Sequence, residues 1–217
     1  MSIVRTSAIA SLTAQFVIGA VTAIAFFVDV KSPRDREDLN VILVFEVTSQ
    51  VIEFLWYATV LATSHTITAR LRYIDWVLST PTMIVSFAMF FRHRDGSITT
   101  GRSVTSVFQT YELYASLAMN WIMLALGFAL ESGHASNVVG LGGGGLALVG
   151  SFTFLAMFVD DDDVISRALF WTTFAIWGLY GVAAALDDVP KNVAYNLIDV
   201  VSKNGFGVFL FVYALTL

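Results

Sequence analysis

The run VAYNLIDVVSKNGFGVFLFVYALT, residues 193–216, is apolar over the length of a bilayer and carries one lysine, Lys203, in its interior. A helix needs about 20 mostly apolar residues to cross a membrane. Lys203 stands 14 residues before Leu217, roughly 21 Å along a helix at 1.5 Å per residue. That is too deep for its amine to snorkel to water. Asp199 lies one turn earlier on the same face. Ionisable groups inside a span are costly and are functional hypotheses by default. Two readings are open on this run alone. Lys203 and Asp199 form a structural ion pair between packed helices, or the buried amine is held for Schiff-base chemistry.

The rest of the chain has the same character. Of its 217 residues 57% are hydrophobic and only 13% charged, about half the charge of a soluble domain, which is roughly 25%. Apolar runs of bilayer length recur near 6–28, 41–63, 71–91, 104–130, 138–159, 166–186 and 193–216. Short polar connectors separate them, among them Lys31–Asn40, Arg92–Gly101, Asp160–Asp163 and Asp187–Asn192. The expected fold is all-α: one seven-transmembrane-helix bundle over residues 1–217, an integral multi-pass membrane protein with the lipid bilayer as its first partner. The first run is too long for a signal-peptide core and shows no small-residue cleavage site, so it reads as helix one. Strand alternation of the β-barrel type is absent from the pattern. Lys31, Arg34, Arg36, Arg92, Arg94, Arg102 and Arg167 fall in or beside connectors one, three and five, against Arg5, Arg70 and Lys191 on the other side. The positive-inside rule then places the N-terminus outside and the C-terminus in the cytoplasm.

Composition also excludes function classes. The net charge of −5 leaves no basic stripe for nucleic acid. With no cysteine there is neither a disulfide framework nor a thiolate metal site, and no metal site is expected. An inverted-repeat transporter has no support, since only the glycine tract at 140–145 is repetitive.

The third run decides between the two readings of Lys203. It contains Arg72-Tyr73-Ile74-Asp75-Trp76-Val77-Leu78-Ser79-Thr80-Pro81. Here the chain resembles the microbial (type 1) rhodopsins, whose third helix carries R-Y-x-D-W-x-x-[TS]-[TS]-P. Their seventh helix carries D-x-x-x-K-x-G-F-G, matched by DVVSKNGFG from Asp199 to Gly207, and their sixth W-x-x-Y, matched by Trp177 and Tyr180. The three motifs lie on separate helices in the family's order.

The resemblance implies a cofactor: all-trans retinal as a protonated Schiff base on Lys203. It implies paired counterions in Asp75 and Asp199, balanced by Arg72. Light would isomerise the polyene and release the imine proton to Asp75, which Ser79 orients. Trp76 and Trp177 would sandwich the polyene, and Tyr180 and Tyr57 would point hydroxyls at Asp199. Met123 matches a ring-contacting methionine, and Asn120 stands where the family's pumps often place an acid bonded to a threonine, here Thr80. Tyr57 and Met123 equally suit plain core packing. The family pattern is broken at Gly181, where proline is usual, and at Ala184, where a further pocket tryptophan is usual. Ser202 replaces a common alanine beside the lysine, which implies a blue-shifted absorption.

Transport is less settled. The family's pumps place a proton donor eleven residues after the acceptor, a position held here by Ser86. Helix two carries Glu46, Gln50, Glu53 and Tyr57 at spacings of four, three and four, one helical face. Aligning Tyr57 with the family's helix-two tyrosine sets Glu46 opposite Ser86, a carboxyl–hydroxyl pair with its partners exchanged. The leading reading is a light-driven outward proton pump: Asp75 accepts, Asp187 and Asp188 assist release, and Glu46 or Glu53 reprotonates the imine. The alternative is a light-gated cation channel lined by the helix-two glutamates; a sensory photoreceptor is the third option. The transported species would be protons or small cations. A homo-oligomer is compatible with the family, and no enzymatic activity is expected.

Overall fold

The computed structural model describes residues 2–63, 67–95 and 103–217. Its framework is seven helices: α1 (Ile3–Ile24), α2 (Pro33–Thr63), α3 (Ala69–Arg94), α4 (Tyr111–Glu131), α5 (Gly144–Ala156), α6 (Val164–Ala184) and α7 (Asp188–Ala214). Each packs on its neighbour in sequence, and α7 closes the ring against α1 and α2. The described residues contain no strand. The protein is an integral, multi-pass membrane protein.

Local chemistry sets the helix ends. Pro33 occupies the first position of α2, where its missing N–H costs nothing, and the Ser32 hydroxyl accepts from the Asp35 amide at 3.3 Å. The helix therefore starts eight residues before the apolar run, and most of the expected Lys31–Asn40 connector is its first two turns. Asp187–Asn192 is likewise absorbed: Asp187 holds the N-cap position of α7 without a side-chain capping bond, and Pro190 stands in the first turn. At the other end of the fourth run, residues 104–109 form a separate 3-10 helix capped by Ser103, and α4 begins only at Tyr111. Gly133, at φ 73°, turns the chain out of α4 in the left-handed region that glycine tolerates.

Two helices depart from regular α geometry. Val138–Gly143 is a π-helical turn that leads into α5. Pro81 stands inside α3 and cannot bond the Val77 carbonyl one turn back. The Trp121 indole on α4 donates to that carbonyl at 3.5 Å.

Six helices among the described residues are long and apolar enough to cross a membrane; α6, expected as the sixth span, falls short by hydropathy. Its deficit comes from Arg167 and from Thr172, Thr173, Trp177 and Tyr180, side chains that rate as polar although two of them line the central cavity. Arg102, one of the basic residues in the orientation argument, lies outside the described residues.

Helix α3 is the most enclosed span, with 72% of its apolar window buried against 22% for α1 and α4. Towards its C-terminal end it joins a dry layer: Leu39, Ile42 and Leu43 of α2, Phe87 and Phe90 of α3, and Leu210 of α7, none more than 2% exposed. Phe87 stacks on Phe206 at 4.3 Å between ring centroids. Beyond this layer His93 sits between Asp38 (3.3 Å) and the Tyr213 hydroxyl (3.2 Å).

Candidate functional site

Helices α2, α3 and α7 bring their polar faces together at mid-height. Lys203 on α7 is 1% exposed and its Nζ forms a short ion pair with Asp75 Oδ2. Asp199 Oδ1 and Glu53 Oε1 each lie 3.9 Å from the same nitrogen. All three carboxylates are buried. A buried cation is tolerable only with such partners. Glu53 is anchored in turn by Asn204 Nδ2, which donates to its Oε2 at 3.2 Å.

Asp199 is the best-furnished acceptor of the site. Tyr57 donates to its Oδ2 at 2.8 Å and Arg72 Nη1 at 2.9 Å. Tyr180 donates to Oδ1 at 2.7 Å and the Trp76 indole at 3.3 Å. Ser202 Oγ is 2.7 Å from the Tyr180 hydroxyl; with that hydroxyl donating to Asp199, Ser202 is the donor. Arg72 is wholly enclosed. It also donates to the Tyr57 oxygen (2.8 Å), the Asn192 carbonyl (3.3 Å) and Asn196 Oδ1, and its guanidinium carbon lies 5.4–5.6 Å from the rings of Trp56, Tyr57 and Tyr195. Asn196 ties this cluster to α1 by donating to Ser7 Oγ at 2.7 Å.

Beside Lys203 opens an apolar cavity of about 300 Å³ between α3, α4, α5 and α6. Trp76, Thr80, Met123, Trp177 and Tyr180 line it. Thr80 accepts from Asn120 Nδ2 at 2.8 Å, which fixes α4 against α3. The cavity depends on small residues: a Cβ on Gly127 would collide with the Tyr73 hydroxyl, and one on Gly140 with Leu130.

Residues 6–217 match the family described as bacteriorhodopsin-like protein. The chain belongs to this family. Bacteriorhodopsin-like proteins bind retinal as a Schiff base on a lysine, and they include light-driven pumps and channels. Among solved structures the fold is similar to viral rhodopsin OLPVRII, at 23% identity and TM-score 0.84, over 98% of this chain and 97% of that one. It is also similar to the blue light-absorbing proteorhodopsin from Med12, at 19% identity and TM-score 0.74, over 99% and 98%. The proton pumping rhodopsin AR2 from the marine alga Acetabularia acetabulum gives 14% and 0.60, over 93% of each chain. None of the curated proteins matches in sequence.

The cavity suits a bacteriorhodopsin-like chromophore. Its volume is in the range of small-molecule pockets, its walls are largely apolar, the Lys203 amine lines it, and the buried Trp177 indole N–H on its wall has no hydrogen-bond partner among the described residues.

The remaining expected residues are distributed unequally. Ser79 is buried one turn from Asp75. Glu46 and Ser86 are both buried, yet they do not bond each other: Ser86 donates to the Ile42 carbonyl at 3.3 Å, while Glu46 accepts from Gln50 at 3.2 Å. Asp187 and Asp188 are exposed at the start of α7, and Asp188 lies 3.9 Å from Lys191. Sequence reasoning missed Asn192, Asn196 and Asn204 on α7, and Ser11, Gln15 and Thr22 on α1, all buried. The signal was there in part: Asn192, Asn196, Asp199 and Lys203 recur at helical spacing, as do Ser11 and Gln15.

Proposed function

We propose that this chain carries all-trans retinal on Lys203 and is a light-gated cation channel. The observation that carries the channel reading is the inward face of α1. Of its four buried residues three, Ser11, Gln15 and Thr22, are polar. Ser11 accepts from Gln15 at 2.9 Å within α1, and Thr22 meets a polar seam formed by Glu53, Gln50 and Glu46 of α2 with Asn204 of α7. Gln50 Nε2 lies 3.2 Å from Thr22 Oγ1 and 3.4 Å from the Lys203 carbonyl. Among the described residues, oxygens of Glu46, Gln50, Glu53 and Asn204 in this seam, and of Gln15 on α1, are buried without a hydrogen-bond partner, a lining that water and a small cation can occupy.

Bound retinal supplies light absorption and isomerisation, with the Lys203 nitrogen as the atom whose proton affinity changes. Asp75, in contact with that nitrogen, is the group placed to take its proton. Asp199, held by Arg72, Tyr57 and Tyr180, acts as the fixed counterion. Glu53 lies close enough to feel the redistribution and passes it to Asn204 and the seam. The dry layer of Leu39, Ile42, Leu43 and Phe87 is the gate, since apolar constrictions close by dewetting. The basic connectors favour an N-terminus outside and a cytoplasmic C-terminus.

An outward proton pump is the second reading, supported by the Asp75 contact and by Glu46 enclosed on the far side of Lys203. Photocurrents under voltage clamp separate the two. A channel current reverses with the cation gradient. A current of one sign at every holding potential would establish the pump instead.

A further inference from the structure

We infer that the Glu131–Lys191 ion pair is a solvent latch. It shuts the cavity beside Lys203 off from a polar cleft near the N-terminus, and it opens by handing Lys191 to Asp188. What it admits is water and small water-soluble amines, the reagents that take a chromophore off its lysine. The inference rests on the reading of Lys203 as the retinal-bearing residue.

The cavity and the cleft meet at Glu131, and among the described residues no other lines both. Arg5, Arg70, Asp188 and Asn192 line the cleft. Asn192 is 4% exposed, and its Oδ1 has no hydrogen-bond partner among the described residues. A buried carbonyl oxygen beside open polar space is a place for water to bind. The cavity wall next to Glu131 is tight, since Leu130 packs on Gly140 and Tyr73 on Gly127. The way between cleft and cavity therefore runs past the Glu131 carboxylate.

Lys191 stands across that way. Its Nζ lies 3.0 Å and 3.3 Å from the two Glu131 oxygens and ties α7 to α4. Both side chains are 11% exposed. Asp188, one turn earlier on α7, holds its Oδ1 3.9 Å from the same nitrogen, and its side chain is 94% exposed. Lys191 thus has an inner partner on α4 and an outer one on its own helix. A turn of its side chain towards Asp188 breaks the tie to α4 and moves no backbone. That leaves Glu131 uncompensated, so the closed position is the resting one. A hydrated amine cannot take the lipid-facing walls instead without shedding its water. Once past the latch, hydroxylamine exchanges with the imine: its nitrogen takes the polyene carbon as an oxime, and its two N–H hydrogens pass to the Lys203 nitrogen, which leaves as the free ammonium.

The test is the rate at which hydroxylamine bleaches the full-length pigment in the dark. Lys191→Met and Glu131→Gln each break the latch and are expected to speed bleaching about tenfold or more. Glu131→Lys combined with Lys191→Glu restores the pair and should return the rate to within about twofold of wild type. Asp188→Asn removes the outer partner and should slow bleaching. Asp163→Asn, which breaks an ion pair at the opposite end of the bundle, controls for lost stability and should leave the rate unchanged. Rates within about twofold of wild type in both latch variants, equal speeding by Asp163→Asn, or no rescue by the exchanged pair would each overturn the latch. A second readout needs no chromophore. The chain has no cysteine, so Met123→Cys places a single thiol on the cavity wall, and a charged methanethiosulfonate should label it faster in apoprotein that also carries Lys191→Met. Equal labelling with and without Lys191→Met would again overturn the latch. A wild type that forms no pigment removes the reading of Lys203 instead, and the labelling then decides the latch by itself.

Discussion

Asn204, next in sequence to Lys203, donates to one oxygen of Glu53, while the other oxygen of Glu53 lies 3.9 Å from the Lys203 nitrogen. One carboxylate thus touches both the reactive amine and the polar seam of α1, α2 and α7. Glu53→Gln keeps the size and the hydrogen bond but removes the charge. The pigment should still form, while the preference for protons over sodium in the photocurrent should fall on the order of tenfold, about 1.4 kcal/mol. Reversal potentials at two external pH values measure it. Unchanged selectivity would take Glu53 out of the conducting path.

Lys203→Ala should give a colourless protein even with retinal in excess. Lys191, the other lysine of α7, is committed to Glu131 near the membrane edge. A normal pigment in this variant would refute the assignment of the chromophore.

Asp75→Asn removes the carboxylate in contact with the Lys203 nitrogen. The ground-state charge is then less localised, so absorption should shift to the red, and the fast deprotonation step should disappear from flash photolysis. Acidifying the wild type should reproduce the red shift, with a midpoint that belongs to the coupled group of Asp75, Asp199 and Glu53 rather than to one residue. If neither change moves the spectrum, Asp199 dominates as counterion.

Glu46→Gln separates the two transport readings. As a gate-side lining residue, Glu46 tunes conductance and its loss leaves chromophore kinetics within about twofold. As a proton donor, its loss makes reprotonation slower and proportional to bulk proton concentration. Transient absorption at several pH values reads the difference directly.

At the end of the bundle that holds the C-terminus, Arg94 grips Asp163 with two hydrogen bonds, Nε at 2.9 Å and Nη2 at 2.6 Å. That fork holds the Asp163 carboxyl well below the usual carboxylate range. A lowered folded value means that the stabilisation is complete above the unfolded value, near 3.9, and is lost as pH falls through the folded one. Asp163→Asn should therefore cost about 2 kcal/mol at neutral pH and little in strong acid. Thermal bleaching of the pigment in both conditions gives the comparison.

The seven-helix fold was legible because apolar runs and polar breaks alternate at bilayer length, and the site because Arg72, Asp75, Asp199 and Lys203 are ionisable groups where lipid forbids them. The polar side of α1 was not. Ser11, Gln15 and Thr22 are small or neutral, so they hardly dent the hydropathy of their run, and only the packing of α1 on α2 and α7 shows that they face inward. The start of α2 was misjudged for the opposite reason: Pro33–Asn40 is polar, but a helix capped at Ser32 and Pro33 needs no apolar face where it projects beyond the membrane. The pairing of Glu46 with Ser86 failed on a detail that spacing does not encode, since Gln50 and the Ile42 carbonyl are nearer partners.

The layer of Leu39, Ile42, Leu43 and Phe87 has an electrical consequence. Buried polar groups lie on both sides of it, Glu46 on one and Asp38 and His93 on the other, and if the channel reading holds and both sides hydrate, the layer would be a thin insulator between two conductors. Most of the resting membrane potential would then drop across it rather than across the whole bilayer. A full elementary charge crossing that drop gains or loses about 2.3 kcal/mol per 100 mV. Any charge that appears on or leaves Glu46 after a flash sits at the edge of this capacitor. The protein's response to one photon should therefore scale with the state of the cell's membrane, strongest when it is polarised and fading as it runs down.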